Sequence, residues 1–206
     1  MKTFSLTVII GLAVASVQGV DGYFPIKQRA EDAGIDAFEA RVYSAALENM
    51  SEPKLPNLSK DPNAVVYRLL ILPNYSNPMA VRVDKQGAIY RVSARRLDGR
   101  GGYETGELVE SKEFELSAED SKTLKELLRK LNFFQLMTDD GVVMDDGDAW
   151  ILEGVSQGKY HLIERMNAYT YRTKQRRLTA LHDLSKFLLD RCRLSPESIR
   201  QATHLH

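Results

Sequence analysis

Cysteine is nearly missing from this chain. Cys192 stands alone, so no intramolecular disulfide can form and the fold must rest on its core. Cys192 falls in an apolar helical pattern and reads as a small buried hydrophobe; the other reading, a reactive or intermolecular thiol, finds no partner base by motif. Excess charge is missing too. Lys plus Arg and Asp plus Glu each number 28, which leaves no overall attraction to nucleic acid or to an anionic membrane. No Gly-x-Ser-x-Gly elbow, His-Glu-x-x-His, Cys-x-x-Cys or Walker sequence occurs. Past the first residues no segment approaches the roughly 20 apolar residues that span a bilayer as a helix. No cofactor is implied.

What is present begins with an export signal. Lys2 precedes an apolar run from Leu6 to Val17 that is too short to serve as a membrane span. Small residues suit signal peptidase after Gly19, which leaves a longer apolar run than cleavage after Ala15 would. Residues 1–19 are therefore expected to be removed, leaving a periplasmic or secreted chain that starts at Val20 and has no transmembrane segment. Residues 20–206 fit one domain, since domains commonly hold about 100–200 residues.

Along that chain, Ile35, Phe38, Val42, Ala45 and Ala46 recur at helical spacing and predict an amphipathic helix over 29–50, ended by Glu52-Pro53. The proline-containing stretch 53–62 reads as an extended connector, and 63–194 as the core. Strands are expected over 64–72, 79–84 and 88–96, with a turn at 84–87. A more polar edge strand covers 107–116. Ser117 is a good N-cap for a helix striped with Leu124, Leu127, Leu128 and Leu131. A hairpin over 148–155 and 159–166 turns at Gln157-Gly158, and a last long helix over 173–192 carries Leu178, Leu181, Leu184 and Leu188 on one face. The reading is an α+β fold, an antiparallel sheet of about six strands with helices packed on one face.

Several local patterns stand out together: Arg41-Val42-Tyr43-Ser44, Glu52-Pro53-Lys54-Leu55, Tyr67-Arg68-Leu69-Leu70 and Ala80-Val81-Arg82-Val83. They continue with Asp98-Gly99-Arg100-Gly101-Gly102-Tyr103-Glu104, Trp150-Ile151-Leu152-Glu153-Gly154 and Gly158-Lys159-Tyr160-His161. This arrangement is similar to that of a group of exported bacterial proteins of unknown function, over most of the mature chain. The resemblance implies a bacterial envelope location and brings no activity, cofactor or catalytic residue with it.

Four candidate sites can be weighed against plainer readings. The glycine-rich loop 97–106 lacks the Gly-Lys-Ser/Thr of a phosphate cradle and reads as a connection between strands. The loop 138–148 gathers Asp139, Asp140, Asp145, Asp146 and Asp148, but its spacing excludes an EF-hand; a solvated turn outweighs an irregular calcium site. The basic run 172–177 reads as a solvated helix face. Three Asn-x-Ser sequons, at Asn49, Asn57 and Asn74, carry meaning only in a eukaryotic source.

The hairpin is the richest of these patterns. Counting outward from its turn sets Val155 opposite Tyr160, Gly154 opposite His161, Leu152 opposite Ile163 and Trp150 opposite Arg165. Trp150, His161 and Arg165 then share a face, with Arg165 placed to lie over the indole. Glu153 and Glu164 fall on the opposite face, which weakens a composite acid–base site. Trp150, His161 and Arg165, with Tyr103 in the glycine loop, are the candidate binding residues. The expected activity is non-enzymatic binding of a protein, peptide or envelope component through the sheet surface or the glycine loop. The alternative is an envelope hydrolase that uses His161 as base.

Overall fold

A computed structural model describes residues 22–28, 34–101, 104–142, 147–168 and 178–194. The export signal, Tyr103, Asp145 and Asp146, the basic run 172–177 and the tail from 195 lie outside the described residues. Six strands form one antiparallel sheet: β1 (Val66–Leu72), β2 (Met79–Gln86), β3 (Ile89–Leu97), β4 (Leu108–Glu115), β5 (Ala149–Ser156) and β6 (Lys159–Met166). Their order is β4-β3-β2-β1-β5-β6. The α+β class therefore stands. The first four strands are a meander, and the chain then returns past helix α3 (Ala118–Leu131) to place the β5–β6 hairpin beside β1. The polar strand β4 is an edge, as its composition suggested. β2 runs on through Gln86, so the β2–β3 turn falls at Gly87 and Ala88, later than the expected 84–87.

The β5–β6 hairpin pairs in the register counted from sequence: Val155 with Tyr160, Gly154 with His161, Leu152 with Ile163 and Trp150 with Arg165. The turn residues Gln157 and Gly158 have φ of 53° and 72°. Positive φ at both central positions matches the right-handed twist of the flanking strands.

Both faces of the sheet are apolar because both are covered. Leu69, Ile71, Val81, Val92, Trp150, Leu152 and Ile163 point one way and meet Leu124 and Leu131 of α3 and Leu181, Leu184 and Leu188 of α4 (Thr179–Arg191). Leu70, Leu72, Ala80, Ile151 and Leu162 point the other way and meet Ala40, Tyr43 and Leu47 of α1 (Ala37–Asn49), with Tyr23 and Phe24 of the N-terminal segment. So α3 and α4 share a face as expected, while α1 lies on the opposite one. Each leucine buried in this way adds about 1.5–3 kcal/mol. Cys192 closes the α4 side, fully buried, with its thiol pushed up to about 11 by that burial.

Helix α1 starts later than the spacing suggested. The Asp36 carboxylate accepts from Phe38 N at 2.7 Å and Glu39 reaches back to Asp36 N, a capping box that fixes the first turn. From that start the buried residues are Ala40, Tyr43, Ala46 and Leu47, leaving Phe38 64% exposed. Of the expected face, Ile35 and Ala46 are buried and Val42 packs partly against the core, while Phe38 and Ala45 are exposed and the phenol ring of Tyr43 takes a core position. The connector 53–62 is not wholly extended: Leu55–Leu58 form one helical turn, α2, with Pro56 in its first positions, where a missing N–H is harmless. Leu55 packs there against Val66 and Val155. Among the described residues no helix is long and apolar enough to cross a membrane.

Candidate functional site

Of the hairpin residues singled out by sequence, Trp150 and Arg165 are part of the interior and His161 is half-buried. Trp150 is 1% exposed in the larger core. Arg165, also buried, donates to the carbonyls of Thr138 (2.8 Å), Met137 (2.9 Å) and Glu164 (2.6 Å) and stands 3.8 Å from Asp140. It thereby ties the segment after the single 3-10 turn Phe133–Gln135 to β6. A long guanidinium with several donors suits such carbonyl clamping.

His161 sits in a row with Gly154 and Tyr67 across three strands. The space that Gly154 leaves is filled by Phe133, whose ring lies 5.0 Å from the imidazole and 6.0 Å from the Tyr67 ring. A Cβ at position 154 would come within 2.6 Å of Phe133 Cε1. Nε2 of His161 is closed to solvent and has no hydrogen-bond partner among the described residues. Burial holds the imidazole below its usual pKa, against a hydrogen bond with the Leu136 backbone that favours the charged form. The ring as a whole is half-buried, packed against Phe133 and Phe134.

Tyr103 lies outside the described residues, but much of its loop does not. Gly101 N donates to Pro73 O (3.0 Å), Arg100 N to Glu104 O (2.7 Å), and Asn77 holds Gly99 O (2.9 Å). Gly101 passes so close to β1 that a Cβ there would stand 2.6 Å from the Leu72 carbonyl carbon. These amides are turned inward, as a connection between strands requires. In the acidic loop, the Asp139 carboxylate accepts from Gly141 N, and Asp148 accepts from Asn74 N at 3.0 Å. Among the described residues no three His, Cys, Asp or Glu side chains are grouped to hold a metal ion.

Two arrangements escaped the sequence reading. On the α1 face, Arg68 is fully buried, with Nε and Nη2 at 2.8 and 2.6 Å from one oxygen of Glu153 and Nη1 donating to Pro53 O at 2.7 Å. Glu52, just past α1, faces Arg68, Arg82 and Arg95 at 3.4, 2.9 and 3.4 Å. Tyr160 donates to the other oxygen of Glu153 at 2.9 Å. Burial raises the Glu153 carboxyl and the adjoining guanidinium opposes it. This lattice fixes the corner between α1 and α2 on the sheet.

The second arrangement is a cavity of about 140 Å³ between the N-terminal segment, α1, β6 and the loop after the 3-10 turn. It is lined by Lys27, Glu39, Asp139, Asp140, Glu164 and Met166, together with Val142. Tyr43 donates to Glu164 Oε1 at 2.5 Å. Burial pushes the Glu164 carboxyl up to about 7; the Tyr43 hydrogen bond and Lys27 oppose that rise, and the carboxylates of Glu39 and Asp139 add to it. Burial and Glu164 together raise the Tyr43 phenol. Exposed apolar side chains lie in the same segments: Ile26 beside Lys27, Phe38 beside Glu39 and Met137 shortly before Asp139. Lining residues this far apart in the chain leave no local motif. The one hint was Glu164 itself, an acid between Leu162 and Met166 on its face of β6.

No family model, no curated protein and no solved structure matches the chain.

Proposed function

We propose that the chain is an exported, non-enzymatic binding protein of the bacterial envelope, acting through the end of the molecule that carries the acidic cavity. The observation that carries this reading is the pairing of that cavity with the exposed side chains Ile26, Phe38 and Met137. Exposed apolar side chains beside polar groups are the usual anatomy of a protein contact, and these three adjoin in sequence the residues that line the cavity. The inner strands of the sheet are covered on both faces, which favours this end over them as the contact. The amino-terminal signal pattern and the resemblance to exported bacterial proteins support the envelope location. The packing of the half-buried His161 ring against Phe133 and Phe134, with Nε2 turned from solvent, favours binding over hydrolysis.

The mature chain, residues 20–206, used as bait in envelope extract tests the reading. Capture of a defined partner should be lost in Phe38→Ser with Met137→Ser and kept in Ile89→Ser, which alters an exposed apolar side chain at the opposite end of the sheet. Capture indifferent to the first pair and lost with Ile89→Ser would place the contact somewhere else. Turnover of peptidoglycan that disappears in His161→Ala would replace the binding reading with the hydrolase.

A further inference from the structure

We propose that Glu164 and Tyr43 form a proton-dependent lock on this cavity, and that a cationic side chain of the partner, a primary ammonium or guanidinium, enters when the lock loses its proton. The inference rests on the binding reading above and supplies its ligand chemistry and its regulation.

The geometry sets up the exchange. Glu164 projects from β6 with 8% exposure, and its hydrogen-bond partner is the neutral phenol of Tyr43 on α1. Around it stand Glu39 from α1, Lys27 from the N-terminal segment, and Asp139 and Asp140 from the loop. Lys27 leans to Asp139 at 4.0 Å, and Arg165, directed to the opposite face of the sheet, stands 3.8 Å from Asp140. While Glu164 keeps its proton, the pair is satisfied and adds no charge. Once ionised, it becomes a buried anion facing the carboxylates of Glu39 and Asp139, with Asp140 turned toward Arg165 and Lys27 already engaged, and such a charge is costly until a cation joins it.

The cavity of about 140 Å³ has room for the head of one such side chain, since on the same measure a single water needs only about 10–15 Å³. The upward displacement of the Glu164 carboxyl puts the change of state near neutrality.

The test uses the mature protein with its glutamate carboxyls labelled with carbon-13, a short lysine-rich peptide, and the same peptide with its lysines acetylated. Carboxyl titration by NMR reads the lock without any ligand; calorimetry at about pH 6 and about pH 8 reads the coupling. The expected results are a carboxyl titrating near neutrality that vanishes in Glu164→Gln, and peptide affinity about 10-fold higher at the upper pH. That factor is the ratio of ionised fractions for a midpoint near 7. In Glu164→Gln the affinity should be the same at both, and the acetylated peptide should not bind.

A Glu164 that titrates with the ordinary glutamates overturns the lock, whatever the peptide does. Titration near neutrality with equal affinity at both pH values, or an unchanged pH dependence in Glu164→Gln, overturns the coupling. An acetylated peptide that binds equally well overturns the cationic ligand. A peptide that fails to bind at either pH, beside a normal lock titration, overturns the cavity as the binding site.

Discussion

Replacing Gly154 with alanine tests how the core around His161 is built. The added Cβ would lie 2.6 Å from Phe133 Cε1 and 2.9 and 3.0 Å from Tyr67 Cδ1 and Cε1, closer than carbon atoms tolerate. Rings packed this tightly have no free direction, since Phe133 also touches Phe134 and His161 at 5.1 and 5.0 Å between centroids. Overpacking of this kind costs about 1–3 kcal/mol. Alanine opposes that loss by restricting the unfolded chain, which is worth about 0.4–1 kcal/mol. Strain is the larger effect, so Gly154→Ala should be destabilising by about 1–2 kcal/mol. Urea unfolding followed by tryptophan emission suits the measurement, because Trp150 is the only tryptophan and is buried. Phe133→Leu should relieve the clash, so the two substitutions should couple by about 0.5 kcal/mol or more in a double-mutant cycle. A Gly154→Ala protein as stable as the parent, or one that does not couple to Phe133→Leu, would refute this packing.

Trp150→Ala should cost about 3–5 kcal/mol, because the ring is fully interior, and native emission should be blue-shifted and move red on unfolding; an unshifted native spectrum contradicts this. Glu153→Ala leaves the Arg68 charge buried without its partner and should cost about 3–5 kcal/mol in denaturant titration, whereas Arg68→Met with Glu153→Leu should recover much of it. For Glu164 the folded carboxyl is raised from 4.5 to about 7, so its contribution is intact below about pH 4.5 and lost as pH rises to about 7. At about 1.4 kcal/mol per pH unit that is a loss on the order of 3 kcal/mol. The difference in stability between Glu164→Gln and the parent, followed across pH, should show it.

The hairpin register could be read from sequence because a two-residue turn at Gln157-Gly158 fixes every partner outward from it. Ser117 fixed the start of α3 in the same local way, and the structure has the Ser117 hydroxyl accepting from Asp120 N at 3.0 Å. What failed was anything that depends on a partner distant in the chain. On α1, Phe38 was expected in the core and Tyr43 was not, because Phe38 is the more apolar, yet Tyr43 has Glu164 to satisfy its hydroxyl and so can be buried. The mixed faces of β5 gave no direction because Arg68, across β1, neutralises Glu153 and lets both sides be interior. The cavity joins residues 27, 39, 139 and 164, whose proximity only the folded chain creates.

Photo-crosslinking from single positions in the exported protein tests the central proposal most directly. With a photoreactive residue at Phe38 or at Met137, the same partner should be trapped from both. None should be trapped from Ile89 or Val109, which are exposed at the opposite end of the sheet and on the far edge strand. A partner trapped only from Ile89 or Val109, or a protein that retains Met1 and never leaves the cytoplasm, would contradict the proposal.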